Sequence, residues 1–517
     1  MLACLRTYGW ALVSGVLMAW ALPKFHFFPL AWIALVPLLL QTRLAPIRIS
    51  AARFFVAGWI YHTIVLQWLV ANIFWAGGWA LLGQQGICLA LAGYWALLGA
   101  LWSRTNTLLP RWARPLAFAV CWMAMEWFQA RLFTGFGWAA IGYSQGPDLW
   151  IAQWASVGGV ILVSALLAAS NALACDCVGD GWRGWKTGLV ALLFIGGVHG
   201  AGAFLLEAPK PSATPFHVGL YQSNYAQQMK WDAEFQDVML DLALRQSTVV
   251  TERTPVDLFV WPEALVMRDF RKQKTLTRLQ DFTANTQVPL FTGSARTDRE
   301  TGEGFNSSAL IQPNGDFEIY DKMKLAPFGE YIPLESWLGF MQGLGAAGGT
   351  KSGDEAKVFD VGSRQMSPLI CFEVLFSPMA EARRQLGADF LVVVTNLGWF
   401  GKSNILPQKF EIARFRAIET RLPVVQCANT GISGVIDPYG RIELVNGVVT
   451  PQGNFLTWRE GAEPSYDDAS AQRRLGVLSL PEAASPLIPG SSLWAGRLVA
   501  VLGVILLVGL FRPGAVS

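Results

Sequence analysis

Charged residues are scarce in this sequence. Only 15% of its 517 residues are Asp, Glu, Lys or Arg, whereas an ordinary soluble protein has about 25%. The net charge of +3 is small for this length, and the basic residues are scattered instead of forming one run. The first shortage excludes an ordinary soluble protein, and the second argues against a nucleic-acid-binding surface. We therefore expect a membrane protein with no nucleic-acid partner.

Histidine is scarce as well. The sequence has four histidines, and no two of them have the spacing of metal ligands: His26, His62, His199 and His217. A zinc or two-metal site would have to be built from carboxylates alone, so we expect no metal and no cofactor. Histidine is also the usual base that ionises a catalytic cysteine. A cysteine enzyme with so few histidines would use a carboxylate or a lysine instead.

Apolar stretches are abundant. From Tyr8 to about Leu206 the sequence is a succession of apolar spans, each near the length of about 20 residues that crosses a bilayer as a helix. The predicted spans, with one more near the end of the chain, are 8–22, 27–42, 54–73, 79–102, 115–130, 149–174, 187–206 and 493–511. The sequence therefore predicts a multi-pass α-helical membrane bundle of eight transmembrane helices.

The composition changes after these spans. We predict an N-terminal transmembrane region of about seven helices at 1–206, an α/β domain at 207–492, and a C-terminal transmembrane helix and tail at 493–517. In the middle region short β-branched runs alternate with charged helical stretches, a pattern typical of α/β domains. Arginines and lysines concentrate in alternate loops, which are cytoplasmic by the positive-inside rule. The α/β domain follows an odd number of crossings, so we expect it outside the cytoplasm.

Two of the seven cysteines, Cys371 and Cys427, fall in this α/β domain. A disulfide between them is the alternative that an oxidising compartment suggests, but we favour two free thiols. Cys427 lies in the apolar run PVVQCANTG, which is typical of a buried core thiol. A free thiol in an oxidising compartment is a liability unless it has a function. Cys371 is therefore the candidate nucleophile.

Reactive side chains stand in three segments beside predicted strands, where catalytic groups usually gather. The segments are VDLFVWPEA with Glu263, IYDKMKLAPFGEYIP with Lys322, Lys324 and Glu330, and SPLICFE with Cys371 and Glu373. Glu263 can take the thiol proton of Cys371, and Lys322 can stabilise the negative oxygen that develops on an attacked carbonyl. Taken singly, such residues are more often solvated charges or core thiols. Taken together, they indicate acyl transfer.

These segments also resemble a known family. WPEA, the lysine segment ending in PFGEYIP, and ICFE, in this order, resemble the Glu, Lys, Cys triad of the nitrilase superfamily. PFGEYIP and the membrane stretch EWFQARLFTGFGWAAIGYSQ narrow the resemblance to the apolipoprotein N-acyltransferases. The resemblance covers nearly the whole chain. It implies a nitrilase-like αββα sandwich in the periplasm, carried on eight transmembrane helices of the bacterial inner membrane.

Roles for individual residues follow from motif position. The resemblance implies that Glu263 is the catalytic base, Lys322 the oxyanion-stabilising lysine and Cys371 the nucleophile. It implies supporting or substrate-binding roles for five more residues: Glu330, Glu373, Trp231, Asn306 and Phe372. No member of the triad is replaced.

Several positions depart from the family pattern. Phe372 stands where the family has Tyr, and Lys324 and Lys409 stand where His is usual. Gly137 replaces a usual Pro, and Leu397 replaces a usual Asp. These positions bear on the choice of lipid headgroup and on substrate breadth.

The implied reaction has two partners and takes place at the membrane. A phospholipid, phosphatidylethanolamine by resemblance, donates an acyl chain through a cysteine thioester, and the diacylglyceryl-modified cysteine of an apolipoprotein accepts it on its α-amine. One alternative is a membrane-tethered nitrilase or amidase that acts on a small carbon–nitrogen substrate. Another is a channel or transporter with a regulatory outer domain, which the few intramembrane charges and the lack of an internal repeat disfavour.

Two further predictions concern single segments. The stretch 335–358 mixes bulky apolar residues with a glycine-rich run, and we expect it to be a mobile lid facing the lipid. Glu126 is the one carboxylate well inside a predicted span, and such groups need a partner. We expect it to pair with Arg131.

Overall fold

Two compact units make up the chain in this computed structural model. One unit contains Met1–Ile73, Gly78–Glu207 and Pro486–Ser517, and the other contains Phe74–Gly77 and Ala208–Ser485. The structure describes residues 2–72, 77–132, 135–206, 215–230, 232–332, 336, 349–445, 448–449, 455–456, 474–486 and 501.

The first unit is helical throughout its described part. Its helices are α1 (Leu2–Ala21), α2 (Val36–Thr42), α3 (Ile47–Val65), α4 (Trp79–Leu108), α5 (Arg114–Gln129), α6 (Leu149–Ala152), α7 (Ala155–Gly179) and α8 (Trp185–Leu205). Three described stretches are long and apolar enough to cross a membrane: Trp79–Leu108, Ala155–Gly179 and Gly181–Leu205. Eight transmembrane helices therefore stay a prediction, and the expected span 493–511 lies outside the described residues except for Val501.

Helix α8 shows how the helical unit uses its apolar residues. Leu193 and Phe204 are 66% and 91% exposed, although both are large and apolar. The opposite face packs tightly, because a Cβ atom on Gly202 would lie 1.9 Å from the carbonyl oxygen of Trp150 on α6. Only glycine lets the two backbones approach so closely, as is common between membrane helices. The helix thus buries its small residues and exposes its large apolar ones.

The environment of Glu126 differs from the prediction. Its Oε1 accepts hydrogen bonds from Trp122 Nε1 at 2.9 Å and from the Ile141 amide at 3.1 Å. The Arg131 guanidinium lies instead 4.4 Å from the centre of the Trp127 ring. Helix α5 ends at Gln129, and residues five positions apart do not share a helix face. The expected pairing with Arg131 was therefore wrong.

The second unit contains two β-sheets. Its strands are β1 (His217–Gln222), β2 (Leu258–Val260), β3 (Val266–Asp269), β4 (Leu290–Thr297), β5 (Gly304–Ile311), β6 (Phe317–Asp321), β7 (Thr350–Lys351), β8 (Phe359–Val361), β9 (Arg364–Ile370), β10 (Phe390–Thr395), β11 (Val424–Ala428), β12 (Gly434–Ile436), β13 (Ile442–Leu444), β14 (Val448–Val449), β15 (Phe455–Leu456) and β16 (Arg474–Ser479). One sheet has the order β15-β14-β16-β1-β2-β4-β5-β6, with β3 beside β4 and β7 beside β5, and the other has the order β13-β12-β11-β10-β9-β8.

Helices cover the outer faces of both sheets. They are α9 (Gln227–Lys230), α10 (Ala233–Thr251), α11 (Gln273–Thr286), α12 (Ser377–Gln385) and α13 (Ile405–Thr420). One apolar core lies between the sheets, where Val218 and Val260 of the first meet Val392 and Val425 of the second. Another packs α10 and α11 on the first sheet, and α13 packs on β11 of the second. The layers are therefore helix, sheet, sheet and helix, as expected of a nitrilase-like sandwich.

Strand direction brings the candidate residues together. Strands β9, β10 and β11 are parallel, and so are β1, β2 and β4. The carboxyl ends of parallel strands meet at one edge of a sheet. Glu263 follows β2, and Cys371 directly follows β9. A hydrogen bond from the Asn396 amide, just after β10, to Glu263 Oε2 at 2.7 Å joins the two edges.

Candidate active site

Glu263 is a buried carboxylate, 6% exposed, with a partner on each oxygen. Its Oε2 accepts from the Asn396 amide at 2.7 Å, and its Oε1 accepts from Asn306 Nδ2 at 2.8 Å. Lys322 Nζ lies 3.7 Å from the same Oε1. These contacts fix the orientation of the carboxylate, and a fixed orientation is what a general base needs.

Lys322 is 1% exposed and lies between two carboxylates. Its Nζ donates to Glu330 Oε1 at 2.9 Å and is 3.7 Å from Glu263 Oε1. Burial by itself lowers the pKa of Lys322, but Glu330, Glu263 and the nearby Cys371 together raise that pKa above its usual range. These charges favour the ammonium form of the lysine, which suits the stabilisation of an oxyanion.

Asn306 on β5 and Glu330 complete the polar surroundings of this lysine. The Asn306 amide group donates to Glu263 at 2.8 Å and to Glu330 Oε1 at 2.7 Å, so it bridges the two carboxylates. Glu330 also accepts from the Ala326 amide at 2.7 Å. Burial raises the pKa of Glu330, but the charge of Lys322 and these hydrogen bonds lower it below its usual range. Glu330 thus stays ionised.

Cys371 occupies a sharp turn between strand β9 and a 3-10 helix, Cys371–Leu375. Its φ of 50° is in the left-handed region, which a residue with a side chain rarely adopts and which is frequent at functional sites. Thr395 Oγ1 donates to its sulfur at 3.3 Å. Burial and the charge of Glu263 raise the pKa of the thiol, while Lys409 and Lys322 oppose that rise.

Glu373 holds the cysteine turn and the lysine loop together. Its Oε2 accepts from the Ile370 amide at 2.7 Å, directly before Cys371. Its Oε1 accepts from the Tyr320 hydroxyl and from the Met323 amide, both at 2.7 Å. This fully buried carboxylate therefore supports the site from outside the triad, at the back of both segments.

The other predicted positions fall in different places. Phe372 is half-buried, and its ring packs edge-on against Phe376 at 5.3 Å. Trp231 lies outside the described residues, as does most of the expected lid at 335–358. Cys371 and Cys427 are both free, so no disulfide joins them. Cys427 is fully buried and donates its thiol to the carbonyls of Tyr221 and Val260, as a core residue would.

Sequence reasoning missed two lysines near the site. Lys230 is fully buried, with its Nζ 3.5 Å from the backbone carbonyl of Glu263, and burial lowers its pKa to about 7. Lys409 is 1% exposed, and we had noted only its departure from the family pattern. A lysine in a polar segment is read as solvated unless the face it occupies is known. For Lys230, the sequence feature that could have indicated a place near the site was its position beside Trp231.

The assembled groups define a chemistry. A carboxylate, an ammonium and a thiol stand at the joined edges of two sheets, and the charges of the first two act on the third. A thiol with a neighbouring base and cation can attack a carbonyl and carry its acyl group.

The chain matches two sequence families in its two parts. Residues 14–173 match the family described as apolipoprotein N-acyltransferase N-terminal domain, and residues 218–447 match carbon-nitrogen hydrolase. Among solved structures, Saccharomyces cerevisiae Nit3, a member of the nitrilase superfamily, overlaps 53% of this chain and 93% of its own at 16% identity and a TM-score of 0.38.

Curated relatives match over nearly the full length. The apolipoprotein N-acyltransferase of Geobacter metallireducens is 32% identical over 84% of this chain and 86% of its own. That of Azotobacter vinelandii is 32% identical over 87% of this chain and 91% of its own, and that of Pseudomonas syringae pv. tomato is 32% identical over 87% and 92%. With both halves matched in the expected order, the chain belongs to the apolipoprotein N-acyltransferase family.

Proposed function

We propose that this protein transfers a fatty acyl chain from a phospholipid to the α-amine of the diacylglyceryl-cysteine of an apolipoprotein, by way of a Cys371 thioester. Membership of the family supports N-acylation of lipoproteins. The observation that carries the mechanism is the placing of Lys322 Nζ 3.7 Å from Glu263, with both charges acting on a thiol in a left-handed turn. Phosphatidylethanolamine is the proposed donor.

In the first half-reaction Glu263 takes the thiol proton of Cys371. The thiolate attacks the ester carbonyl of the phospholipid, and the Lys322 ammonium stabilises the negative charge that develops on the carbonyl oxygen. The carbon–oxygen bond of the ester then breaks, and Glu263 returns the proton to the departing oxygen. The products are an acyl thioester on the enzyme and a lysophospholipid.

In the second half-reaction the free amine of the lipoprotein attacks the thioester. Glu263 accepts a proton from the amine and passes it to the departing sulfur, which restores the Cys371 thiol. The bond formed is an amide and the bond broken is a thioester. An amide is the more stable of the two, so the transfer proceeds without a cofactor.

The supporting residues act through the triad. Asn306 and Glu330 hold Lys322 and Glu263 at a fixed separation through bonds of 2.7 to 2.9 Å. Glu373 keeps the turn with Cys371 against the loop that carries Lys322. We assign substrate contacts to Phe372 and Trp231 on family resemblance.

Both substrates are lipids, which requires a membrane. Each buried methylene favours the bilayer by about 0.8 kcal/mol, so drawing a whole acyl chain into water would cost more than catalysis can offset. The three apolar stretches of the helical unit are suited to a bilayer. We place the protein in the bacterial inner membrane, with helical regions at 1–206 and 493–517 and a periplasmic catalytic domain at 207–492.

Acyl trapping tests this proposal. Purified protein is incubated with acyl-labelled phosphatidylethanolamine and denatured, and hydroxylamine-labile label is counted. We expect label in the parent and in Cys427→Ala, the matched thiol control, and none in Cys371→Ala. Absence of label on folded parent protein would reject the thioester from this donor. A small-molecule amide hydrolysed by that same protein would then favour the tethered amidase.

A second variant tests the base. Glu263→Gln keeps the shape of the side chain and an oxygen for the Asn396 amide. It cannot accept the thiol proton, so label should form about 10²- to 10⁴-fold more slowly. Label at the parental rate would remove Glu263 from the mechanism.

A further inference from the structure

Lys409 is a buried cation that the mechanism above does not use. It lies on α13 and is 1% exposed, and its Nζ has no hydrogen-bond partner among the residues that the structure describes. Burial of an unpaired ammonium is costly, and buried charges are normally paired or hydrogen-bonded. The other lysine at the nucleophile, Lys322, is bound to Glu330 at 2.9 Å. An orphaned ammonium beside the site therefore needs a functional explanation.

Helix α13 is fixed directly onto the nucleophile turn. Arg416 Nη1 donates to the carbonyl oxygen of Leu375 at 3.0 Å, at the far end of the 3-10 helix that begins with Cys371. Lys409 precedes Arg416 by seven positions, which is about two helical turns, so both side chains leave the same face of α13. That face packs on the nucleophile turn. Lys409 therefore points toward the part of the turn that holds Cys371.

Three charged or titratable groups act on the Lys409 ammonium: Cys371, Glu263 and Lys322. Burial lowers its pKa, the negative forms of Cys371 and Glu263 oppose that change, and Lys322 adds to it. Conversely, the charge of Lys409 lowers the pKa of the Cys371 thiol more than the charge of Lys322 does. The ammonium and the thiolate thus stabilise one another.

The charges of the site show why a second cation is needed. When Glu263 has accepted the thiol proton, it is neutral. Of the charged groups that act on the thiol, Lys322 and Lys409 then remain. Lys322 is already bound to the ionised Glu330, at 2.9 Å. Lys409 is the cation left to balance the thiolate.

We propose that Lys409 is the counter-ion of the Cys371 thiolate, a positioning residue that stabilises the ionised nucleophile while Lys322 stays bound to its carboxylates. The inference rests on the proposed role of Cys371 as nucleophile. With Lys409 beside the sulfur, the Lys322 ammonium acts on the substrate oxyanion instead of on the thiolate. Two negative charges appear in succession during the attack, first on the sulfur and then on the carbonyl oxygen. Lys409 balances the first charge, and Lys322 balances the second.

The pH dependence of Cys371 alkylation tests the proposal. The full-length protein in detergent micelles reacts with iodoacetamide at a series of pH values, and mass spectrometry of the Cys371 peptide gives the rate. In Lys409→Met the midpoint should rise by about one pH unit, and the rate near neutral pH should fall about tenfold, as expected for the loss of one nearby opposite charge. Lys409→Arg keeps the charge and should keep the midpoint.

Two further variants make the result decisive. Lys402→Met removes the same charge from an exposed position just before α13 and should leave the midpoint unchanged. Lys409→Gln removes the charge but keeps a polar side chain, and it replaces the Met variant if that one does not fold. A parental midpoint in a folded Met or Gln variant would overturn the proposal. Alkylation needs no acyl donor, so a raised midpoint together with failed acyl trapping would reject the donor and leave the counter-ion role standing.

Discussion

Helices α8 and α13 differ in which side chains they bury. Helix α8 in the helical unit exposes large apolar side chains, with Phe204 91% exposed. Helix α13 in the α/β unit has all 16 residues buried, and five of them are charged. The first matches a hydrocarbon environment, whereas the second must satisfy charges in a protein interior. The comparison shows that apolar residues of this chain lie on the surface as well as in the core, and that charged residues can lie in the core.

The buried charges of α13 are mostly compensated within the helix. Arg414 lies 3.2 Å from Glu411, and Arg416 lies 2.8 Å from Glu419. Such spacings place partners on one side of the helix. Lys409 differs because its Nζ makes no hydrogen bond within the described part of the chain.

The largest effect is expected from breaking a buried pair on α13. Arg416→Met removes the cation that lies 2.8 Å from the buried carboxylate of Glu419, and it removes the bond to Leu375. The free energy of unfolding should fall by about 3 to 5 kcal/mol. Thermal unfolding in micelles measures this. The double variant Arg416→Met with Glu419→Leu removes both charges and should recover much of the loss. No recovery would show that packing, not charge, sets the cost.

A slightly smaller effect is expected on the exposed face of α8. Leu193→Lys places a charge near the middle of a helix that we expect to cross the bilayer, at a cost of about 2.5 to 3.5 kcal/mol. The fraction of the variant that stays in the membrane after carbonate extraction should therefore be smaller than that of the parent. Leu386→Lys in the α/β unit is the matched control, because Leu386 is also large, apolar and 54% exposed. Equal behaviour of the two variants would contradict the contrast between the surfaces.

The packed face of α8 should respond to a single methyl group. In Gly202→Ala the new Cβ meets the Trp150 carbonyl at 1.9 Å, so the helices must separate, at a cost of about 1 to 3 kcal/mol. Gly200→Ala makes the same change where nothing lies within 4 Å, and it should be neutral or slightly stabilising. Melting temperatures of the two variants give the comparison. A Gly202→Ala variant as stable as the parent would refute the close approach.

A pH-dependent effect on stability is expected from Lys230 in the α/β unit. Its pKa is lowered from 10.5 to about 7, chiefly by burial. Between these values the unfolded chain binds a proton that the folded chain does not, so the free energy of unfolding rises with pH. Lys230→Met removes this contribution. The melting temperature of the parent minus that of the variant should therefore increase from pH 7 to pH 9. A difference that does not change with pH would show that the Lys230 ammonium is solvated in the folded protein.

The sequence was most informative where a local pattern ends in a reactive residue. Runs of β-branched residues predicted the strands before Glu263 and Cys371, and the structure has β2 and β9 there. The two strands belong to different sheets, so the packing of one sheet on the other brings their ends together. Antiparallel register across β5 and β6 places Asn306 opposite Lys322. No local pattern specifies that the Asn306 side chain then bridges Glu263 and Glu330.

Other features gave no local signal. Helix α13 is buried on every side, so it has no amphipathic period from which to infer the face of Lys409. Glu126 was assigned to Arg131 because the two are close in sequence, but one of its two hydrogen-bond donors, the Ile141 amide, comes from a later segment. Only tertiary packing defines such contacts. The functional roles of the site residues stay predictions that the experiments above address.

The carboxylate of Glu373 makes the effects of mutations interdependent. It accepts from the Ile370 amide on one side and from Tyr320 and Met323 on the other, so two segments about fifty positions apart share one acceptor. Mutations with a common partner are generally not additive. A substitution that shifts the lysine loop therefore changes the cost of any later substitution in the cysteine turn. The two segments are expected to tolerate change only as a pair, with Glu373 as the source of that epistasis.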